Sequence, residues 1–363
     1  MSDPRAAPPR PIWAVAFVVA FCIGSGDLEC GPPLTGAPRR GQELYRKMCA
    51  VCHGATGEGY AADDAPSLVS REWLASASDD FIRAAIAQGR RGTTMSSWSV
   101  KRAGPLSDAD VDAVVAFLRT AQEPRLSNGP VHLDERPLSG DAAAGVDVFA
   151  KNCAGCHGAR GVGGSAVHIG GLDFLQSASN GFLRYAVARG RHGTAMPAFL
   201  WKLGPSRIDG VVAALRGWQA SMPPHSAGIA RAAPLPLGPT PLHPSGPEPE
   251  GFHADPATTP VDVVKGQLDR GARMGILDAR APSDYLGSHI SGAVSVPFYD
   301  PDPYLALLPK DTWLVCYCGC PHAESGQLAH KLVAHGFKKV TVLDEGINAW
   351  RARGYAMGAG VDP

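Results

Sequence analysis

The chain has 363 residues, with 34 basic and 34 acidic side chains and a formal net charge of zero. That length predicts two or three domains, and the charge balance argues against nucleic acid or an anionic membrane surface as an electrostatic partner. Nine cysteines fall in clusters, two near the N-terminus, four in two C-x-x-C pairs and three at Cys316, Cys318 and Cys320, a pattern unlike a disulfide framework.

The first 30 residues read as an export signal or an N-terminal anchor. Arg5 and Arg10 precede an apolar run over residues 12–23, followed by Gly24, Ser25 and Gly26. The run is short for a spanning helix, which needs about 20 apolar residues. Cys22 and Cys30 have the wrong neighbours, Phe21 and Glu29, for a lipid-modified cysteine.

Next comes Cys49-Ala50-Val51-Cys52-His53, which returns 104 residues later as Cys153-Ala154-Gly155-Cys156-His157. Two thiols at this spacing can form thioethers to the two vinyl groups of one haem, and the adjacent histidine then becomes the proximal iron ligand. A single such motif also reads as a redox dithiol or half a zinc site; two within a repeat favour haem.

The repeat extends well beyond the motif. Gly41, Leu44, Tyr45 and Lys47 match Gly145, Val148, Phe149 and Lys151, and Ser76-Ala77-Ser78 with Phe81 matches Ser177-Ala178-Ser179 with Phe182. Gly89-Arg90-Arg91-Gly92-Thr93-Thr94-Met95 matches Gly190-Arg191-His192-Gly193-Thr194-Ala195-Met196, and Gly104-Pro105 matches Gly204-Pro205. Each copy predicts helix, haem motif, irregular loop, helix, methionine loop, helix. Ser107 and Asp110 form a capping-box variant for the last helix of the first copy, whose apolar stripe is Val111, Val114, Val115 and Leu118. Val211, Ala214, Leu215 and Trp218 occupy that stripe in the second copy.

Met95 and Met196 lie 42 and 39 residues after the two proximal histidines and are the candidate second axial ligands, against core filling as the alternative. His168 and His192 compete in the second copy; both read as solvated polar residues. The copies span residues 40–121 and 139–221. Residues 122–138 form a short connector, and residues 222–260, with eleven prolines, a longer one. Its composition predicts an extended spacer of about 3.1 Å per residue and no fixed geometry between its flanks.

After residue 260 strands alternate with helices, the pattern of a parallel sheet covered on both faces. Gly275-Ile276-Leu277-Asp278, Trp313-Leu314-Val315-Cys316-Tyr317 and Lys339-Val340-Thr341-Val342-Leu343 are the strands, with a helix over residues 327–335 ended by Gly336.

On these motifs residues 40–221 resemble two tandem class I cytochrome c domains. The resemblance implies two covalently bound haem c groups, each mostly buried with one exposed edge, and unidentified redox donor and acceptor proteins. Arg90 and Arg191 stand either as partners of haem propionates, whose carboxylates match guanidinium geometry, or as solvated surface residues. Covalent haem attachment agrees with export, so a periplasmic location is expected, with membrane contact only through an uncleaved N-terminal segment.

Residues 261–358 resemble a rhodanese domain through Leu277-Asp278-Ala279-Arg280, Asp284-Tyr285, His289-Ile290-Ser291-Gly292-Ala293, Val315-Cys316-Tyr317-Cys318 and Leu343-Asp344-Glu345-Gly346 with Trp350. That resemblance places the nucleophile at Cys318, with Cys320 as the rival or as a resolving thiol, and makes Cys316 a buried structural residue. The loop from Cys318 to Ser325 carries Glu324 and no arginine or lysine, so Coulomb repulsion is expected to weaken thiosulfate binding. A persulfide is the other candidate sulfur donor. Three readings remain at this point: a dihaem electron carrier with a sulfur-handling module, a sulfur-compound dehydrogenase, and an anchored cytochrome subunit of a respiratory oxidase with a non-catalytic rhodanese domain.

Overall fold

The computed structural model describes residues 33–62, 65–121, 131–223, 235, 237–238, 240–254, 256–319 and 322–363. The segment 1–30, with Cys22 and Cys30, lies outside the described residues, as does Cys320. Among the described residues no helix is long and apolar enough to cross a membrane.

The first copy folds as α1 (Gly36–Met48), α2 (Ala50–His53), α3 (Arg71–Ser76), α4 (Asp79–Gln88) and α5 (Asp108–Thr120). The second repeats this as α6 (Ala142–Asn152), α7 (Ala154–His157), α8 (Leu172–Ser177), α9 (Asn180–Arg189) and α10 (Leu200–Ala220). The repeated residues have mechanical reasons. A Cβ on Gly41 would run into the carbonyl oxygen of Ala113, and one on Gly145 would run into that of Gly210. Only glycine lets the first and last helices of each copy cross that closely. Ser78 and Ser179 cap the fourth helix of each copy, accepting from Phe81 N at 3.1 Å and Phe182 N at 3.0 Å. The expected capping box of Ser107 and Asp110 is present at the start of α5. In the second copy the last helix is kinked at Gly204, whose φ is 70°, and Pro205 opens its longer arm.

The two copies meet face to face through equivalent residues. Phe81 and Phe182 have ring centroids 4.7 Å apart. Arg91 N donates to Asp173 Oδ2 at 3.1 Å, and His192 N donates to Glu72 Oε2 at 3.1 Å, so the same pair of positions is used in both directions. Such reciprocity is the mark of a two-fold relation between copies. His168, expected in solvent, is instead half-buried beside Gly92 of the other copy.

The third domain adds β1 (Thr258–Thr259), α11 (Val261–Asp269), β2 (Met274–Asp278), α12 (Pro282–Gly287), β3 (His289–Ile290), β4 (Ala293–Ser295), α13 (Asp302–Leu305), β5 (Trp313–Tyr317), α14 (Ala323–Ala334), β6 (Val340–Leu343), α15 (Gly346–Ala352) and β7 (Met357–Gly358). Five strands form a parallel sheet in the order β1-β6-β5-β2-β4, and β3 pairs antiparallel with β7. Every residue of β2 and β6 is buried, as expected for strands covered on both faces. The chain leaves β2 toward β4 on one side and returns to β5 on the other. The crevice outside their C-terminal ends is therefore a switch point.

The described part of the connector over residues 222–260 is not the free spacer its prolines predict, because apolar residues in it find partners. Leu242 N donates to Met274 O at 2.8 Å and Met274 N returns the bond at 3.3 Å. Phe252 stacks edge-on against Trp313, and Glu248 pairs with Lys339. Leu235 is buried and its carbonyl accepts from Tyr304 Oη at 3.2 Å. Residues from Thr35 to Pro363 accordingly form one compact unit.

Candidate functional site

Each C-x-x-C-H motif is laid out by a helix break. The first helix of a copy ends at Met48 or Asn152, and a four-residue helix then carries the histidine. His53 Nδ1 lies 2.9 Å from Pro66 O, and His157 Nδ1 lies 2.9 Å from Val167 O. A proton held on Nδ1 by a carbonyl leaves the Nε2 lone pair for a metal, the usual orientation of a ligating imidazole. Burial also pushes the His53 pKa down, favouring the neutral, ligating form. Cys49, Cys52 and Cys153 are half-buried, and Cys156 is exposed.

The methionine loops are built the same way twice. Gly89 and Gly190, at φ 70° and 67°, end the fourth helix in a conformation that L side chains rarely adopt. Arg90 N then donates to Met95 O at 2.9 Å, and Arg191 N to Met196 O at 3.1 Å. Met95 N donates to Thr93 Oγ1 at 3.1 Å, and Met196 N to Thr194 Oγ1 at 3.2 Å. Glycine, arginine and threonine in this order thus fix where the methionine sits.

The histidines and methionines line a single cavity of about 1430 Å³, which takes in His53 and Met95 from one copy and His157 and Met196 from the other. The donor set suits haem iron: each copy offers an imidazole held at Nδ1 by a carbonyl, a thioether and a thiol pair, and the cavity has apolar walls such as Ile82, Phe81 and Phe182. Arg90 and Arg191 line it too and are half-buried rather than surface residues. Arg90 lies over Phe81 and Phe174, Arg191 over Phe182, and burial lowers each pKa to about 10. A buried guanidinium wants an anion.

The second cluster stands at the C-terminal ends of β2 and β5. Asp278 holds Arg280 through Nε at 2.9 Å and Nη2 at 2.6 Å, and Tyr317 Oη donates to the same carboxylate at 2.7 Å. Cys318 is fully buried, with its Sγ 3.2 Å from Ser325 Oγ in the first turn of α14. The end of a helix that favours negative charge therefore faces the sulfur. Ile347 N donates to Cys318 O at 3.0 Å, and Asn348 Nδ2 to Gly319 O at 3.0 Å, which ties the loop to α15. Cys316 is buried in β5 and its thiol pKa is pushed up by burial, as befits a structural residue.

Two expectations about this loop change. Glu324 is buried, and desolvation, helped by Cys318 and Asp284, pushes its pKa well above the carboxylate range, which weakens the repulsion expected of it. Basic groups are also present: Arg280, paired with Asp278, and the exposed Arg351 line the same cavity as Gly319 and Glu324. They arrive from the end of β2 and from α15, far from the loop in sequence, and only the sheet topology brings them there.

A family model described as cytochrome c oxidase, cbb3-type, subunit III matches residues 36–118 and 140–213, and one described as a rhodanese-like domain matches residues 260–353. The chain is a tandem cytochrome c fused to a rhodanese-like domain. Its cytochrome part is similar to the cbb3-type cytochrome c oxidase subunit FixP of Bradyrhizobium sp. (strain ORS 278), 28% identical over 194 residues covering 50% of this chain and 61% of the relative. The FixP subunit of Rhizobium etli is 32% identical over 178 residues, covering 47% and 56%. The tandem cytochrome thus spans about three fifths of the length of the curated relatives it matches. Among solved structures, the rhodanese-like domain of the Anabaena sp. Alr3790 protein is 30% identical, covers 29% of this chain and 80% of its own, and gives a TM-score of 0.27. Cytochrome c domains imply covalently bound haem c, and the residues here fit it.

Proposed function

We propose that the chain is an exported dihaem c-type cytochrome that passes electrons through two His/Met haems and handles sulfane sulfur on its rhodanese-like domain. The observation that carries this reading is the single cavity shared by both sets of ligands. Haem would supply a one-electron couple at each site. The chain's own residues fasten it (Cys49 and Cys52, Cys153 and Cys156), ligate it (His53 and Met95, His157 and Met196) and neutralise its carboxylates (Arg90 and Arg191). Protein thioether ligands raise the potential of such a couple. A purified chain matured in a competent periplasm should gain two haem masses. Met95→Ala and Met196→Ala should each remove half of the charge-transfer band of Met-ligated ferric haem; an unchanged band in both overturns the ligand assignment.

On the rhodanese side Cys318 is the proposed sulfur carrier, with Cys320 as the resolving thiol and a persulfide or thiosulfate as donor. Sulfur exchange at a neighbouring thiolate needs no external oxidant. Thiosulfate-to-cyanide transfer that disappears in Cys318→Ser and persists in Cys316→Ser supports this assignment. No transfer by the parent chain leaves binding as the role of the domain.

A second reading follows from the cytochrome family model and the FixP relatives. In it the chain hands electrons to a respiratory oxidase and the segment 1–30 holds it at the membrane. Fractionation of the intact chain separates the readings: recovery with the membrane after a high-salt wash supports the oxidase role, and recovery in the periplasmic extract supports a free carrier.

A further inference from the structure

The first methionine loop departs from the second at one telling position: Ser96 stands where the second copy has Pro197. Ser96 is 3% exposed, and its hydroxyl donates to Asp284 Oδ2 of the rhodanese-like domain at 2.6 Å. Ser97 O accepts from Ser283 Oγ at 2.8 Å, and the Trp98 ring lies 5.6 Å from that of Tyr299. On the other side of Met95, Thr94 Cγ2 is 3.1 Å from where a Cβ on Gly319 would stand. Gly319 directly follows Cys318. The cavity that reaches Gly319, Asp284 and Glu324 is the one that contains Met95.

We propose that the Met95 loop is the lid of the Cys318 site, so that a sulfur atom added to Cys318 displaces the Thr94–Met95 segment and loosens Met95 from its axial position. This rests on the reading that Cys318 carries sulfane sulfur and Met95 is a haem ligand. Cys318 has no exposed surface and does not itself line that cavity, and a close-packed interior accommodates an extra atom only by moving something. β5 and α14 are locked into the sheet and its covering layer. The Met95 loop touches this site through side-chain hydrogen bonds from two serines, so it gives first. By linkage, whatever shifts Met95 also changes the affinity of Cys318 for sulfur.

The test uses the full-length haem-loaded chain, reduced with ascorbate, in which the methyl signals of the two axial methionines are resolved by proton NMR and assigned with Met95→Ala. Sodium tetrasulfide loads Cys318: a sulfur–sulfur bond of the tetrasulfide dianion breaks, one forms on Sγ, and trisulfide dianion leaves. Sulfite reverses the step, converting persulfide and sulfite to thiolate and thiosulfate. Loading, verified as one added sulfur on the Cys318 peptide, should shift or broaden the Met95 signal and leave that of Met196 in place. Sulfite should restore it, and Cys318→Ser should not respond. In the same preparation Ser96→Ala should speed alkylation of Cys318 by iodoacetamide about tenfold, as expected for losing one hydrogen bond to a carboxyl group that holds a local closure. A loaded Cys318 with an unmoved Met95 signal overturns the proposal, and so does an unchanged alkylation rate. If tetrasulfide leaves no sulfur on Cys318, the sulfur-carrier reading falls instead; the iodoacetamide adduct then serves as the added group and must still move the Met95 signal.

Discussion

The two methionine loops share a backbone plan and differ in what covers them. Around Met95, Ser96 and Trp98 are buried against the rhodanese-like domain. Around Met196, Pro197 and Ala198 are exposed, and Trp201 nearby is 95% exposed. One sequence motif has thus been given an inward role and an outward one, decided by neighbours rather than by the loop. The covered loop faces the third domain, and the open one faces solvent.

The largest effect should come from removing the thiols. Cys49→Ser with Cys52→Ser, or Cys153→Ser with Cys156→Ser, should each lower bound haem from two to one, read by pyridine haemochrome. If the covered loop alone seals the Cys318 site, only the first pair also opens that site to alkylation, since Thr94 of that loop packs on Gly319.

A buried ion pair gives the next. Arg184 and Asp209, with side chains 7% and 10% exposed, meet at 2.6 Å, and Arg184 also donates to the carbonyls of Asp134 and Arg136 in the connector. Asp209→Ala should destabilise the chain by about 3–5 kcal/mol, because it strands a buried guanidinium. The hydrogen bond from Arg184 holds the Asp209 pKa below its ordinary 3.8. Its contribution is therefore complete above that value and disappears as pH falls through the depressed one. Asp209→Asn should flatten that acid limb in urea titrations. In the first copy the equivalent pair, Arg83 Nε and Asp112 Oδ1 at 2.7 Å, has side chains 42% and 55% exposed, so its contribution there is small.

Gly41→Ala and Gly145→Ala should each cost about 1–3 kcal/mol or more by forcing helices apart. Similar losses in calorimetry would show that the copies share a frame and differ only in covering; a large inequality would break that view. The smallest effect belongs to Trp201→Ala, within about 0.5 kcal/mol of the parent. It should nevertheless slow reduction by a protein donor while leaving reduction by ascorbate unchanged.

Much of this architecture was legible in the residues. The C-x-x-C-H motifs, the glycine pair Gly41 and Gly145, the capping serines and the methionine loops sit at matching positions because each performs a local task, and local tasks leave local signatures. The strands of the third domain read correctly for the same reason. What stayed hidden depends on distant partners. The role of Ser96 depends on Asp284, which only the fold brings opposite it. Glu324 looked like an ordinary surface charge until the fold buried it, and Arg280 and Arg351 reach the cavity that Gly319 lines from the end of β2 and from α15, far from the loop in sequence. The prolines of residues 222–260 pointed to a free spacer and gave no sign of the docking that Leu235, Leu242 and Phe252 impose.

The crossed backbone bonds of Arg91 with Asp173 and His192 with Glu72 carry one more implication. A surface that recognises its own copy does not forget how when the covalent tether is cut. Either half, produced alone with its cofactor, should pair with itself in sedimentation experiments, and the full chain would then be read as a dimer whose subunits have been strung on one thread.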